Sequence, residues 1–452
     1  MRILSIVVMM CLMVGCATQP HRLSEASRAA CELPPPAGDP KTGYVWEQAG
    51  GPCSNSWAVR FNGPGAHGVN YVEIDEQGII RDRNAAEDAL QFAGESQGSR
   101  PAYVVVYIHG WFHDAAADDE NVQAFHSALA SVRAWREDRD VRGIFIGWRG
   151  GSIKTPLLKY LTFWDRKSTS EEVGRGGLLE FLLRLEQAVK PTPDSKNRLI
   201  LIGHSFGASV AFNSLAHVFL DRFLDGVRST APRARFQGYG DLVVLINPAI
   251  EAMRYMPFQS AIRYYSGRLQ PPKADFTYET VPRLVVLSSQ GDWATRRAFP
   301  VARFFSTMLE QHESISSQQS PESIPGAYSE REMDVQTVGN YGGFHTHTTL
   351  EFAPEEKEAA ARTETRGRLA SLKACRNLSE IEIRDLLFTD AADLASRGRT
   401  FPDSNFRLAW SRSMPKYLPY VLMDVDEQVI SGHSDIGHPN LVCWINQLAD
   451  AG

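Results

Sequence analysis

Residues 197–215 read NRLILIGHSFGASVAFNSL. An apolar run, Leu199 to Ile202, breaks at Gly203-His204-Ser205-Phe206-Gly207. It resumes as small and apolar residues, Ala208 to Leu215, with helical spacing. A buried strand, a tight glycine-flanked turn and a helix are the parts of a nucleophile elbow. Such a turn holds the Ser205 hydroxyl above the sheet edge, and a side chain at Gly203 or Gly207 would collide with the neighbouring strand or helix. The helix N-terminus that follows offers N–H groups and a positive dipole end to a developing oxyanion.

Working outward, other apolar runs read as strands. Tyr103 to Ile108 (YVVVYI) leads into His109-Gly110-Trp111, and Gly143 to Trp148 follows. After the elbow come Asp241 to Ile246 (DLVVLI), Arg283 to Leu287 (RLVVL) and Tyr420 to Ile430. Continuous runs of this kind suit strands buried on both faces of a parallel sheet. Helical patterns at Asn84–Phe92, Asn121–Trp135, Leu178–Val189 and Leu441–Leu448 alternate with them. Alternation predicts an α/β chain with a mostly parallel central sheet flanked by helices. Upstream, Trp57 to Phe61 reads as a strand. Tyr71 to Asp82 reads as a hairpin turning at Asp75-Glu76-Gln77-Gly78.

The 452 residues, 43% hydrophobic and 22% charged, are ordinary globular composition. A net charge of −6 with no basic run gives no sign of nucleic-acid binding. The predicted organisation is a signal at 1–16, a tether at 17–56 rich in Pro, Gly and small polar residues, and one domain at 57–452. That domain carries an N-terminal extension, 57–95, and lid-like insertions at 150–177 and 294–400.

Met1-Arg2, the apolar run Ile3 to Val14 and Gly15-Cys16 read as a secretory signal too short to span a bilayer. The small residue before Cys16 resembles a bacterial lipobox, although Met13 replaces the usual Leu. That resemblance implies lipidation at Cys16 and, because Ala17 is not Asp, the periplasmic face of the outer membrane. Cys31, Cys53, Cys375 and Cys443 remain, an even number that suggests two disulfides in an exported chain. Three pairings are open, Cys31–Cys53 with Cys375–Cys443 among them.

A serine hydroxyl is a weak nucleophile and needs a base, itself oriented by an acid. Asp292 follows the RLVVL strand, and His433 follows the last strand. The order Ser205, Asp292, His433, with His109-Gly110 after an earlier strand, resembles the α/β-hydrolases from about Tyr103 to the C-terminus. Within that superfamily the chain is similar to bacterial esterase-like proteins that share YIHGW, WRG (Trp148-Arg149-Gly150) and GHxDI (Gly432 to Ile436) segments. The resemblance implies Ser205 as nucleophile, His433 as general base and Asp292 as orienting acid. The Phe206 and Trp111 N–H groups would be oxyanion donors, each worth about 3 kcal/mol. It implies cleavage of a carboxylic ester, lipid esters included, through an acyl-enzyme without a cofactor. A thioesterase or amidase, or a catalytically silent envelope binding protein, is the alternative.

Rivals stand beside these residues. Glu251 follows DLVVLI and could be the acid; His438, His345 and His347 compete with His433. His345-Thr346-His347 lacks a third ligand at recognisable spacing, so no metal is expected. His204 receives no chemistry, and His109 is read as holding the oxyanion loop. Arg149 could bind a substrate carboxylate or phosphate, or pair within its loop. The apolar, aromatic stretch Pro156 to Trp164 could wall an acyl pocket or form an interior helix.

Overall fold

The computed structural model describes residues 31–33, 56–62, 66–95, 100–150, 163–229, 236–266, 281–315, 328–353, 374–388, 400–409 and 419–450. The signal, the tether up to residue 55 apart from residues 31–33, and residues 156–162 lie outside them. In chain order, β1 (Cys31–Leu33), β2 (Ala58–Phe61) and β3 (Gly68–Glu73) precede α1 (Arg83–Gly94). Then come β4 (Ala102–Ile108), α2 (Glu120–Trp135), β5 (Asp140–Gly147), α3 (Phe163–Arg175) and α4 (Leu178–Val189). The centre of the chain is β6 (Arg198–His204), α5 (Phe206–Arg228), β7 (Leu242–Ile246), α6 (Ala252–Ser266) and β8 (Leu284–Ser289). The remainder is α7 (Phe299–Ser306), β9 (Ser314–Ile315), β10 (Tyr328–Ser329), α8 (Glu330–Val335), β11 (His347–Phe352), α9 (Glu380–Phe388), β12 (Phe406–Ala409), β13 (Tyr420–Val425) and α10 (Pro439–Asp450).

Eleven strands form one sheet in the order β1-β2-β3-β5-β4-β6-β7-β8-β13-β11-β12. From β3 to β11 every neighbouring pair is parallel. Only β2 against β3 and β12 against β11 are antiparallel. The chain leaves β4 to one side for β5 and returns on the other side for β6. That reversal opens a crevice at the C-terminal strand ends, where ligands of open α/β sheets bind.

The continuous apolar runs bury both faces, as parallel strands require. Val104, Val106 and Ile108 share a core with Phe181 of α4, Phe212 of α5 and Tyr255 of α6. Tyr103, Val105 and Tyr107 share the other core with Phe125 of α2 and Trp444 of α10. Each fully buried apolar side chain of this size contributes about 1.5–3 kcal/mol.

Several boundaries differ from the sequence reading. The N-terminal hairpin is β2 with β3, whereas Asp75 to Gly78 makes a turn closed by a single bridge between Ile74 and Ile80. β13 stops at Val425 rather than Ile430, because Asp426 accepts turn hydrogen bonds from Val429 and Ile430. The stretch 294–400 is more than a lid, since β11 within it extends the parallel sheet beside β13. Cys375 and Cys443 form a disulfide that joins the segment before α9 to α10. Cys31 is disulfide-bonded too, and Cys53 lies outside the described residues.

Candidate active site

Ser205 ends the strand-to-helix turn with φ 56° and ψ −120°. That left-handed φ costs an ordinary residue about 1–3 kcal/mol and persists only when the surroundings enforce it. Here they do. The Ser205 N–H donates to Ile246 O at 3.0 Å, and its carbonyl accepts from Ala208, Ser209 and Ala249. A Cβ on Gly207 would lie 2.2 Å from Ile108 O and 2.4 Å from His109 O. One on Gly203 would lie 2.8 Å from Ala208 Cα. The two glycines let α5 start directly against β4 and β6.

Ser205 Oγ donates to His433 Nε2 at 2.8 Å, and His433 Nδ1 donates to Asp292 Oδ2 at 2.9 Å. Three residues more than 80 positions apart thus form one chain of hydrogen bonds at the C-terminal ends of β6, β8 and β13. Asp292 is fully buried as a side chain, whereas His433 is about a quarter exposed. Burial alone would raise the Asp292 carboxyl. Hydrogen bonds from His433 and Thr295 outweigh it and hold the group below its ordinary value. Thr295 Oγ1 donates to Asp292 Oδ2 at 2.6 Å, and the Ala294 and Thr295 N–H groups donate to Oδ1.

The loop carrying His433 is held from beneath. His204 Nε2 donates to His433 O at 2.7 Å, and Asn247 Nδ2 donates to the same oxygen at 3.0 Å. Asn247 has φ 47°, a region Asn tolerates better than most residues, and its Oδ1 accepts from Ser289 N at 2.8 Å. It therefore ties the ends of β7 and β8 to the His433 loop. Burial, with the neighbouring His433 next, pushes the His204 imidazole far below its ordinary value, so the ring is neutral. Neither Asn247 nor Thr295 stood out in the sequence, although an Asn closing a buried run before Pro248 marks a strand end.

The opposite wall is the loop after β4. A Cβ on Gly110 would lie 2.8 Å from Ser205 Cβ, so the absence of one lets this loop approach the elbow. His109 Nδ1 donates to Gly110 O, and its Nε2 accepts from Trp148 N. The Trp148 indole donates to His109 O. Burial lowers the His109 imidazole to about 4, which keeps it neutral in this bracket. Phe112 N donates to Gly150 O, so the HGW and WRG segments brace each other. Phe206 and Trp111, expected as oxyanion donors, flank Ser205 from its own helix and from this loop, with ring centroids 5.9 Å apart.

The rivals lie elsewhere. Glu251 is buried among Lys167 (2.7 Å), Arg254 (3.1 Å) and Arg303 (3.2 Å), joining α3, α6 and the helix after Asp292. His438 Nδ1 accepts from Asn440 N near the start of α10. His345 donates to Gly339 O, and His347, buried on β11, donates to Leu387 O. His345 and His347 therefore point to separate carbonyls and not to a common ligand position. Arg149 pairs with Glu76 at 3.2 Å, the loop ion pair rather than a free anion-binding group. Among the described residues Glu310, His312 and Asp334 bring potential ligand atoms within 4.8 Å of one another. Arg303 already holds Asp334 at 2.5 Å.

The arrangement can activate a hydroxyl and stabilise the imidazolium that results. No protein-family model, curated protein or solved structure matches the chain.

Proposed function

We propose that the chain is a serine hydrolase of the α/β-hydrolase type that cleaves a carboxylic ester through an acyl-enzyme. The observation that carries this reading is the unbroken hydrogen-bond chain from Ser205 Oγ through His433 to buried Asp292. In the proposed cycle Ser205 Oγ attacks the ester carbonyl carbon as its proton passes to His433 Nε2. The oxyanion is met by the Phe206 and Trp111 N–H groups. Collapse breaks the bond to the alcohol oxygen, which leaves with the proton from His433. Water, deprotonated by His433, then attacks the acyl carbon and releases the acid and Ser205. Asp292 stabilises the imidazolium and fixes its tautomer throughout. No step draws on a cofactor.

The proposed location is the periplasmic face of the outer membrane, held by a lipid on Cys16. The Cys375–Cys443 disulfide supports an oxidising compartment. A lipid ester is the substrate class that suits such a location.

A fluorophosphonate probe tests the reading. The folded wild type is expected to become covalently labelled, and Ser205→Ala is not. A folded wild type that takes no label rules the enzyme out.

A further inference from the structure

Directly after Asp292 the chain turns its apolar face outward. Trp293 is 70% exposed, Phe305 68% and Leu309 91%, with Val301, Phe304 and Met308 also exposed. Six of the eleven exposed large apolar residues among the described residues fall in these 17 positions, so the patch is not scattered surface. The residues between Trp293 and Ser306 are helical, first a short π-type turn and then α7. Thr295, Phe299 and Thr307 are buried and Arg303 reaches Glu251 and Asp334, so one side of this helix is fully committed to the fold. Positions 293, 297, 301, 304, 305 and 308 form the opposite stripe. Only Arg297 interrupts it, and that residue has no ion pair among the described residues. Arg331 covers one edge, its guanidinium 5.1 Å from the Phe304 ring centroid.

We propose that this stripe is a membrane-docking surface that lies in the headgroup region of a phospholipid bilayer. A short helix with aromatic and aliphatic residues on one side and Arg among them has the composition of an interfacial segment and is too short to span. The choice of a bilayer as occupant rests on reading the apolar run Ile3–Val14 and Cys16, outside the described residues, as an anchor that delivers the chain to a membrane. Trp293 adjoins Asp292, so docking here presents the Ser205 crevice to the lipid surface. An ester-bearing lipid then reaches the serine by sliding from the bilayer rather than by crossing water.

Amide hydrogen exchange of the full chain, with and without phosphatidylethanolamine–phosphatidylglycerol vesicles, tests this surface. Peptides covering 293–309 are expected to exchange about tenfold more slowly once vesicles are added. The triple variant Val301→Ser, Phe305→Ser, Leu309→Ser is expected to keep its circular dichroism and show no such slowing. Slowing that persists in Cys16→Ala supports the docking surface even though the anchor is gone. Unchanged exchange at 293–309 while the chain floats with vesicles overturns it and leaves the anchor reading intact. The proposal equally falls if the wild type does not associate with vesicles at all. Fluorophosphonate labelling of Ser205 in the same samples reports separately on the hydrolase reading.

Discussion

The backbone carbonyl of His433 accepts two hydrogen bonds, from His204 Nε2 at 2.7 Å and from Asn247 Nδ2 at 3.0 Å. The base of the proposed triad is thus aimed by its main chain as well as by Asp292. Asn247→Ala removes one bond and frees the loop to shift. A misplacement of about 1 Å costs up to about a hundredfold in rate. The expected result is a lower kcat with KM little changed. An unaltered kcat would show that His204 alone holds the loop.

Asp292 and Glu251 separate chemistry from architecture. Asp292→Asn is expected to lower kcat by about 10⁴-fold in a folded protein, because the amide favours the wrong His433 tautomer. Glu251→Ala leaves Lys167, Arg254 and Arg303 without their shared carboxylate. Breaking a buried pair of this kind costs about 3–5 kcal/mol. The variant should melt earlier and, below that temperature, still take the fluorophosphonate label. Loss of label in folded Glu251→Ala would reverse the assignment of the acid.

Acid should loosen the fold through buried histidines. Burial lowers both His109 and His347 to about 4 from an ordinary 6.5, and it lowers His204 and His438 in the same direction. Between pH 6.5 and about 4 the unfolded chain binds protons at His109 and His347 and the folded chain does not. Stability therefore falls as pH falls through that window, and these groups contribute no slope above it. Asp292 adds to the loss only below its ordinary 3.8. Melting temperatures from pH 7 to 4.5 should decline, with a shallower slope in His347→Gln. Equal slopes would mean that His347 takes no part.

The Cys375–Cys443 bond closes a 68-residue separation. Chain entropy alone assigns about 4 kcal/mol to a loop of that length. Cys375→Ala with Cys443→Ala should melt well below the oxidised wild type, with the Cys31 disulfide present in both. Identical melting of the two would mean that the bond adds nothing to the fold.

The elbow was legible because its requirements are local: a buried run, two glycines and a helix within nineteen residues. Asp292 and His433 could be placed because each follows an apolar run that had to be a strand. Asn247 could not, because its role exists only where the ends of β7 and β8 meet the His433 loop, 186 residues away in sequence. Thr295 was hidden for the same reason, since a hydroxyl three residues past an acid is unremarkable until the turn between them closes. β11 was missed because HTTLEF carries no continuous apolar run. It lies near the margin of the sheet, and its pairing with the distant β13 supplies what its composition does not.

β13 lies between β8 and β11, both of which precede it in the chain. The gap between them is filled by a segment late in this sequence, and the loop after it delivers His433. A chain halted before Tyr420 holds Ser205 and Asp292 with no imidazole to join them. On the proposed triad, molecules clipped before Tyr420 are therefore inert at Ser205, and no separate inhibitor is needed to keep them so.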